Sequence, residues 1–375
     1  MLSFMRAALI LLALTTTAPA QWTIQQSHTT ASLRGIHALG NGIAWASGSS
    51  GTVLRTTDDG TTWQTCTTPP EAEKLDFRGI QAFDANTAIV MSSGKGDLSR
   101  LYKTTDACKS WKLLFTNPDK EGFWDAIQFS DPTHGFVLGD PINILGSPQK
   151  RFVLKQTFDG GQSWVAWEQK ISGLDANDNV SAFAASNSSL FLDDRFITAF
   201  ATGGKGGSVL FWTVTSAVSI CDCQPMPSEQ ELNDHLYVFK TKAAPFPQTE
   251  TGGIFSIAEN ELYVVAVGGD YKLADSTRQT SAYKLKGGVN QWEIPQTPPH
   301  GYRSAVAYSP TTKTWITVGP NGTDITTDDG KNWQPLKPSP TDQPDADQNW
   351  NALSLPFVVG PKGRIGKLNP TTLKP

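Results

Sequence analysis

The sequence has no excess of positive charge and, after its first twenty residues, no long apolar run. It contains 31 Lys and Arg against 35 Asp and Glu, a formal net charge of −4 over 375 residues. A protein with this balance presents no basic field to nucleic acid or to an anionic membrane surface. No segment reaches the roughly 18 consecutive apolar residues that a transmembrane helix needs. We therefore expect neither a nucleic-acid partner nor a transmembrane segment.

Sequence signatures of metal and hydrolase chemistry are missing as well. The five histidines are scattered, with no HExxH motif and no His/Cys cluster, so the sequence predicts no metal site and no cofactor. It has no G-x-S-x-G elbow of a serine hydrolase. It also has no Arg-Ile-Pro segment of the kind that precedes the repeats of sialidases. The sequence thus contains none of these motifs that would indicate catalysis.

The composition that remains is typical of a folded β protein. Hydrophobic residues make up 38% of the chain and charged residues 18%, which excludes a disordered or fibrous chain. The 33 Gly and 24 Pro lie between short apolar runs, and turns are therefore frequent. This pattern favours an all-β fold.

The first twenty residues resemble a secretory signal peptide. Arg6 precedes an apolar run over residues 7–14, and Ala18-Pro19-Ala20 is an A-x-A cleavage site. We expect cleavage near Ala20, a mature chain over residues 21–375 forming one domain, and a periplasmic or extracellular location.

Four cysteines would then enter an oxidising compartment, where pairing is the default. Cys221 and Cys223 are too close for an ordinary bridge, which leaves a strained disulfide, a free pair or two inert thiols as alternatives. Cys66 and Cys108 remain as the favoured pair, because adjacent repeats would bring their two regions together.

Four segments share the pattern S/T-x-D-x-G-x-S/T-W, with Cys108 and Asn332 as the two departures; they cover residues 56–63, 104–111, 157–164 and 326–333. A fifth, decayed copy ends at Trp292. The pattern predicts a tight turn between two strands. Asp accepts backbone N–H bonds, Gly permits positive φ, and Trp folds back under the hairpin. These segments resemble the Asp-box, or BNR repeat, of sialidases and sortilin-type receptors.

A second signal is an alternating apolar strand that ends in a glycine-rich turn. It occurs seven times, at Gly48, Gly94, Gly139, Gly203, Gly268, Gly319 and Gly360. The spacings are close to the roughly 40–50 residues of a four-stranded propeller blade, with longer insertions around the fourth unit. The sequence thus predicts a seven-bladed β-propeller, with residues 216–234 as a surface loop of blade four. The last unit supplies only three strands, so we expect residues 22–26 to complete it and close the ring.

In such a fold the glycine-rich turns and the starts of the innermost strands surround the mouth of the central channel. Three inner strands begin with an arginine in second place, Arg34, Arg78 and Arg303, and guanidinium forks suit carboxylates or phosphates. We predict a binding site for a protein partner or an acidic ligand there. Its other candidate residues are Trp124, Asp125, Asp140, Lys205, Asp270, Tyr271 and Trp350.

Two alternatives remain open. In the first, the arginines only pair with neighbouring carboxylates between blades, as repeat proteins often require. In the second, the chain is a glycoside hydrolase that uses Asp125, Asp140 and Asp270 at the channel mouth.

The repeat at residues 51–63, Gly-Thr-Val-Leu-Arg-Thr-Thr-Asp-Asp-Gly-Thr-Thr-Trp, also resembles the photosystem II stability/assembly factor family. That resemblance covers about residues 22–368 and implies an exported, non-catalytic seven-bladed scaffold with an arginine patch. Arg34, Arg78 and Arg303 are the nearest matches to the patch. We expect a monomer, and nothing in the sequence names a photosystem partner.

Overall fold

The structure of the protein is a computed structural model that describes residues 21–146, 148–167, 173, 175–176, 179–192, 198–215, 237–286 and 291–369. Its strands form seven antiparallel sheets arranged as the blades of a propeller, as the sequence predicts. The expected signal peptide, Cys221, Cys223 and residues 216–234 lie outside the described residues.

Blades 1 to 3 follow the chain in order. Blade 1 contains β2 (Leu33–Gly40), β3 (Ile43–Gly48), β4 (Val53–Thr56) and β5 (Gln64–Thr65). Blade 2 contains β6 (Phe77–Ala82), β7 (Ala88–Ser92), β8 (Arg100–Thr104) and β9 (Lys112–Thr116). Blade 3 contains β10 (Trp124–Phe129), β11 (Gly135–Asn143), β12 (Lys150–Thr157) and β13 (Val165–Ala166), with β14 (Asp175–Ala176) paired to β12.

Blades 4 to 7 complete the ring. Blade 4 contains β15 (Leu190–Leu192), β16 (Thr198–Ala201), β17 (Ser208–Thr215) and β18 (Tyr237–Ala244). Blade 5 contains β19 (Gly252–Glu259), β20 (Tyr263–Asp270) and β21 (Ser281–Leu285). Blade 6 contains β22 (Ala305–Ser309), β23 (Thr314–Gly319), β24 (Gly322–Thr326) and β25 (Gln334–Pro335). Blade 7 contains β26 (Ala352–Ser354), β27 (Phe357–Val359), β28 (Ile365–Leu368) and β1 (Trp22–Gln25).

The N-terminal strand closes the ring. β1 pairs antiparallel with β28, with Trp22 opposite Leu368 and Gln25 opposite Ile365, which confirms the predicted closure. The Asp342 carboxylate accepts the backbone N–H groups of Gln21 and Trp22 and so holds the start of β1. Pairing the two chain ends removes the open edge that a blade of three strands would expose.

Blade 5 departs from the expected four strands. Among the described residues, its fourth position consists of a single bridge between Tyr283 and Glu293, next to the buried Trp292 of the decayed repeat. Residues 287–290, which belong to that repeat, lie outside the described part of the chain. The weak sequence signal here thus corresponds to a weakly paired edge.

The hydrophobic core is distributed over the blade interfaces. Seven clusters of buried side chains occur, and each one joins two adjacent blades. Between blades 3 and 4, for example, Phe152 lies 5.1 Å from Phe200, measured between ring centroids. Between blades 7 and 1, Trp63 meets Phe357 edge to face at 5.6 Å. Each blade is therefore stabilised by both of its neighbours.

The four turns with the repeated Asp pattern share one hydrogen-bond arrangement. In the first of them, the Asp58 carboxylate accepts the backbone N–H of Thr62 at 2.9 Å and its hydroxyl at 2.6 Å. Asp106 does the same with Ser110, and this hydroxyl bond lowers the pKa of Asp106 to about 2. Asp159 and Asp328 complete the set. These turns join the third and fourth strands, on the face opposite the glycine-rich turns.

A disulfide links blades 1 and 2 at their outer edge. Cys66 follows β5, and Cys108 lies in the repeat turn between β8 and β9, where it takes a φ of 58° in place of the usual glycine. The two Cα atoms are 5.3 Å apart and the residues are separated by 42 positions in the sequence. This is the pair expected from the sequence.

Reduction of this disulfide should weaken the ring. A loop of this length corresponds to about 4 kcal/mol of unfolding free energy in the chain-entropy model. We expect the double substitution Cys66→Ser/Cys108→Ser to lower the unfolding free energy by about 2–5 kcal/mol, measured by denaturant titration. A change below about 0.5 kcal/mol would show that the bridge does not constrain the unfolded chain.

Candidate functional site

The starts of four inner strands share one irregularity. In blade 1 the register shifts between Leu33 and Gly35, so that Arg34 bulges out of the pairing with β3. Blades 2, 3 and 5 have the same shift, which places Arg78, Asp125 and Phe255 at equivalent positions around the channel mouth. A bulge reorients a side chain and is common next to functional sites. The bulges thus place basic, acidic and aromatic side chains at equivalent positions around the channel mouth.

Arg303 does not belong to this set. Its backbone N–H donates to the oxygen of Gly268, as that of Leu33 donates to Gly360, so Arg303 is equivalent to Leu33 rather than to Arg34. A slip of one residue sends a strand side chain to the opposite face. The Arg303 side chain is accordingly fully buried.

The partners of Arg303 are structural. Its guanidinium pairs with the buried Asp324, and it donates to the side chain of Asn321 at 2.6 Å and to the carbonyl of Tyr302 at 2.9 Å. His300 donates its backbone N–H to Asp324 as well. This network satisfies the Arg303 guanidinium inside blade 6, so Arg303 presents no donor at the channel mouth.

Arg34 and Arg78 do converge. The Nε atom of Arg78 lies 2.9 Å from Asp76 Oδ2, and that of Arg34 lies 3.9 Å from Oδ1 of the same carboxylate. The two side chains are 34% and 29% exposed, so both are reachable from solvent. We call Arg34 and Arg78 the arginine pair, and Asp76 is the carboxylate that they share.

This pair has unused hydrogen-bond donors. Arg78 donates to the carbonyl of Ala184 at 3.3 Å and to Asp76, whereas Arg34 has no hydrogen-bond acceptor among the residues that the structure describes. Burial lowers the pKa of Arg34, Asp76 raises it, and the charge of Arg78 lowers it again. Two cations thus share one carboxylate, an arrangement that favours an added anion.

Asp125 interacts with Arg78, and Asp140 with Asp125. Asp125 is only 2% exposed and its Oδ2 atom has no hydrogen-bond partner in the described part of the chain. Asp140 accepts the backbone N–H of Ala182 at 3.0 Å. Burial raises the pKa of both carboxyls, and the neighbouring charge of Asp140 raises that of Asp125 further, while Arg78 lowers it.

The remaining predicted site residues have structural environments. Trp124 is buried and stacks on Phe115, and Trp350 is buried and stacks on Trp22, so neither ring is open to a ligand. Lys205 pairs with Glu250. Asp270 accepts hydrogen bonds from the hydroxyls of Thr249 and Thr251 and from the backbone N–H of Lys272.

These environments do not match a pair of glycosidase carboxylates. Asp125 and Asp140 lie together, but the Asp125 carboxyl is closed to solvent. Asp270 is 7% exposed and is engaged as the cap of the 3-10 helix Tyr271–Leu273. Glycoside hydrolysis needs two carboxyls that flank a bound sugar. Among the described residues, no group of three His, Cys, Asp or Glu side chains could hold a metal ion either.

The base of the mouth is closed by residues 184–189, which we call the crossing segment. Although it belongs to blade 4, its Asn187 side chain donates to the carbonyl of Ile80 in blade 2 at 2.8 Å. Its Ser186 hydroxyl donates to the carbonyl of Ser304 beside blade 6 at 3.4 Å. Blades 2 and 6 are not neighbours of blade 4, so the segment must pass through the channel. A cavity of about 230 Å³ lies below it, next to His37 and Gln81.

An aromatic group borders the mouth on the side of blades 4 to 6. Phe183 stacks on Phe255 with 4.2 Å between ring centroids, and Phe255 meets Tyr302 edge to face at 4.8 Å. Tyr271 lies over both Phe255 and Tyr302, at 6.1 and 6.4 Å. Phe183 and Phe255 were not predicted as site residues. The bulge that Phe255 shares with Arg34 is the signal that identifies its position.

Replacing Asp125 should stabilise the protein at neutral pH. The folded state holds its proton more tightly than the unfolded state, so the native carboxyl contributes stability at low pH that is lost as pH rises through its raised pKa. We expect Asp125→Asn to raise the unfolding free energy at pH 7.5 by about 1–3 kcal/mol, the usual cost of an unsatisfied buried group. The gain should shrink towards pH 4. Equal gains at both values, or a loss at pH 7.5, would contradict this account.

Replacing Arg303 should have the opposite effect. Arg303→Leu leaves the buried Asp324 without its guanidinium partner, and we expect the unfolding free energy to fall by about 3–5 kcal/mol. The exposed Arg278 lies in a loop on the same face, and Arg278→Leu serves as the control with little expected change. Thermal and denaturant unfolding measure both variants. A loss below 1 kcal/mol would exclude the structural role of Arg303.

Comparison with known proteins agrees with the fold. No protein-family model and no curated protein sequence matches the chain. Among solved structures, it is similar to YCF48 bound to a D1 peptide, with a TM-score of 0.59, 15% identity, and coverage of 93% of this chain and 96% of that one. It is also similar to YCF48 from Cyanidioschyzon merolae, with a TM-score of 0.59, 16% identity, and coverage of 94% and 100%.

A third similar structure is that of U3-55K, with a TM-score of 0.54, 12% identity, and coverage of 93% and 98%. In the described part of the chain, no helix has the length and apolar character to cross a bilayer. Identities at this level show a shared fold, which is the seven-bladed β-propeller.

Proposed function

We propose that this protein is a non-catalytic propeller scaffold that binds an acidic segment of a protein partner at Arg34 and Arg78. The observation that carries the proposal is the set of unused donors on two guanidinium groups that share the single carboxylate of Asp76. Guanidinium forks form strong, directional bonds with carboxylates, and these bonds gain strength where water is partly excluded.

The similar structures support the choice of a polypeptide ligand. One of them is a YCF48 protein with a D1 peptide bound. The sequence resemblance to the photosystem II stability/assembly factor family points the same way, although it requires no photosystem partner here. Arg303, one of three expected patch residues, is taken up by Asp324, so the proposed site contains two arginines.

We further propose that the chain is exported and that its four repeat turns belong to the Asp-box class. The sequence of residues 1–20 supports a cleaved signal peptide, and the Cys66–Cys108 disulfide suits an oxidising compartment such as the periplasm or the extracellular space. The shared hydrogen bonds of Asp58, Asp106, Asp159 and Asp328 support the repeat class.

Loss of the two arginines should remove the preference for acidic ligands. Wild-type protein and the variant Arg34→Gln/Arg78→Gln would be applied to an array of random dodecapeptides. We expect Asp and Glu to be enriched among the peptides that bind the wild type. The double variant should bind these peptides at least about tenfold more weakly, because charge-assisted hydrogen bonds contribute about 1.5–3 kcal/mol.

Arg278→Gln is the matched control, since this arginine is exposed on the same face outside the proposed site. It should bind as the wild type does, and the melting temperatures of the wild type, the double variant and the control should be equal. Unchanged acidic preference in the double variant would reject the site. Raising the salt concentration should weaken binding to the wild type.

A further inference from the structure

An exposed apolar surface lies at the mouth on the side of blades 5 and 6, on a short helix whose backbone is held by hydrogen bonds. Tyr271 and Leu273, on the 3-10 helix Tyr271–Leu273 after β20, are 48% and 61% exposed. Asp270 caps this helix by accepting the backbone N–H of Lys272, and the backbone N–H of Tyr302 donates to the carbonyl of Ala274 directly after it. The two side chains are therefore presented in a fixed position.

Tyr302 connects this surface with the arginine pair. Its ring packs against Phe255 and Tyr271, and the residue is only 6% exposed. Burial and the neighbouring Tyr271 raise the pKa of its hydroxyl, while the positive charge of Arg34 lowers it, which places the phenol in the field of that guanidinium. Tyr302 thus contacts the aromatic ring of Tyr271 and lies within the electrostatic influence of Arg34.

The two halves of the mouth differ in chemistry. On the side of blades 1 and 2, Arg34 and Arg78 provide donors for an anion. On the side of blades 5 and 6, Phe255, Tyr271 and Tyr302 provide aromatic faces. The crossing segment closes the space beneath them, so a ligand that lies across the mouth would contact both halves. Rigid aromatic residues next to arginine are the side chains most often found at binding hot spots.

We propose that Tyr271 and Leu273, supported by Phe255 and Tyr302, form a subsite for an apolar side chain of the same peptide whose carboxylate binds Arg34 and Arg78. The ligand class is therefore a peptide that carries both an acidic group and a large aliphatic or aromatic residue. This inference rests on the proposed function.

The occupant follows from charge and shape. A purely apolar partner would leave the unused donors of Arg34 buried and unsatisfied beneath it, at a cost of about 1–3 kcal/mol for each group. A free acidic anion without a side chain would leave Tyr271 and Leu273 exposed to water. Only a ligand that carries both groups removes both costs.

The test is a double-mutant cycle with a defined probe. The tightest acidic dodecapeptide from the array would be resynthesised with a fluorescein label, as would a version in which its large apolar residue is replaced by Ala. Dissociation constants would be measured by fluorescence anisotropy for the wild type, for Tyr271→Ser/Leu273→Ser, and for Leu262→Ser. Leu262 is 64% exposed in the turn between β19 and β20, on the opposite face, and is the matched control.

We expect the Ala peptide to bind the wild type and Leu262→Ser about tenfold more weakly than the parent peptide, consistent with the burial of one large apolar side chain. In Tyr271→Ser/Leu273→Ser this difference should fall below about twofold, with the acidic preference retained.

The possible failures differ. An equal loss of affinity for the Ala peptide in all three proteins would overturn the subsite. The lack of apolar enrichment among the acidic peptides would do the same. Either result would leave the proposed site at Arg34 and Arg78 in place. Absence of acidic enrichment on the array would reject the proposed function and the subsite together. A melting temperature unchanged by Tyr271→Ser/Leu273→Ser would show that the effect concerns binding, and a loss of folding would be tested again with the single variant Leu273→Ser.

Discussion

Pairing of β1 with β28 is the constraint on which the rest of the molecule depends. Each of the seven hydrophobic clusters lies between two blades, and the clusters on both sides of blade 7 need that blade in place. Trp22 of β1 belongs to one of these clusters and stacks on Trp350 at 5.9 Å. The channel mouth is therefore formed only when residues from the two ends of the chain have met.

Closure also explains why a polar mouth can exist. The ring is held together by inter-blade packing, so the residues facing the channel contribute little of the core and are free to be charged. Asp125 shows the extent of this freedom, because a buried carboxyl beside a second carboxyl lowers stability at neutral pH. Groups held at such a cost are typical of functional surfaces.

The fold was predictable because its signals recur. Seven glycine-rich turns and four Asp turns gave the blade number, and the missing fourth strand of the last unit predicted closure. The site was harder to predict from the sequence than the fold. Arg303 stands in a Tyr-Arg-Ser segment that aligns with Leu-Arg-Gly around Arg34, and only the backbone hydrogen bonds show the slip of one residue. The crossing segment has no counterpart in the other blades, so no repeat could indicate it.

The bulge positions have one further consequence. Around the ring they carry Arg34, Arg78, Asp125 and then Phe255, so equivalent backbone positions in four blades carry side chains of different chemistry. A bound peptide would meet charge at one side of the mouth and aromatic rings at the other. The propeller would therefore distinguish the direction in which a chain runs across it, and a peptide of reversed sequence would not be an equivalent ligand.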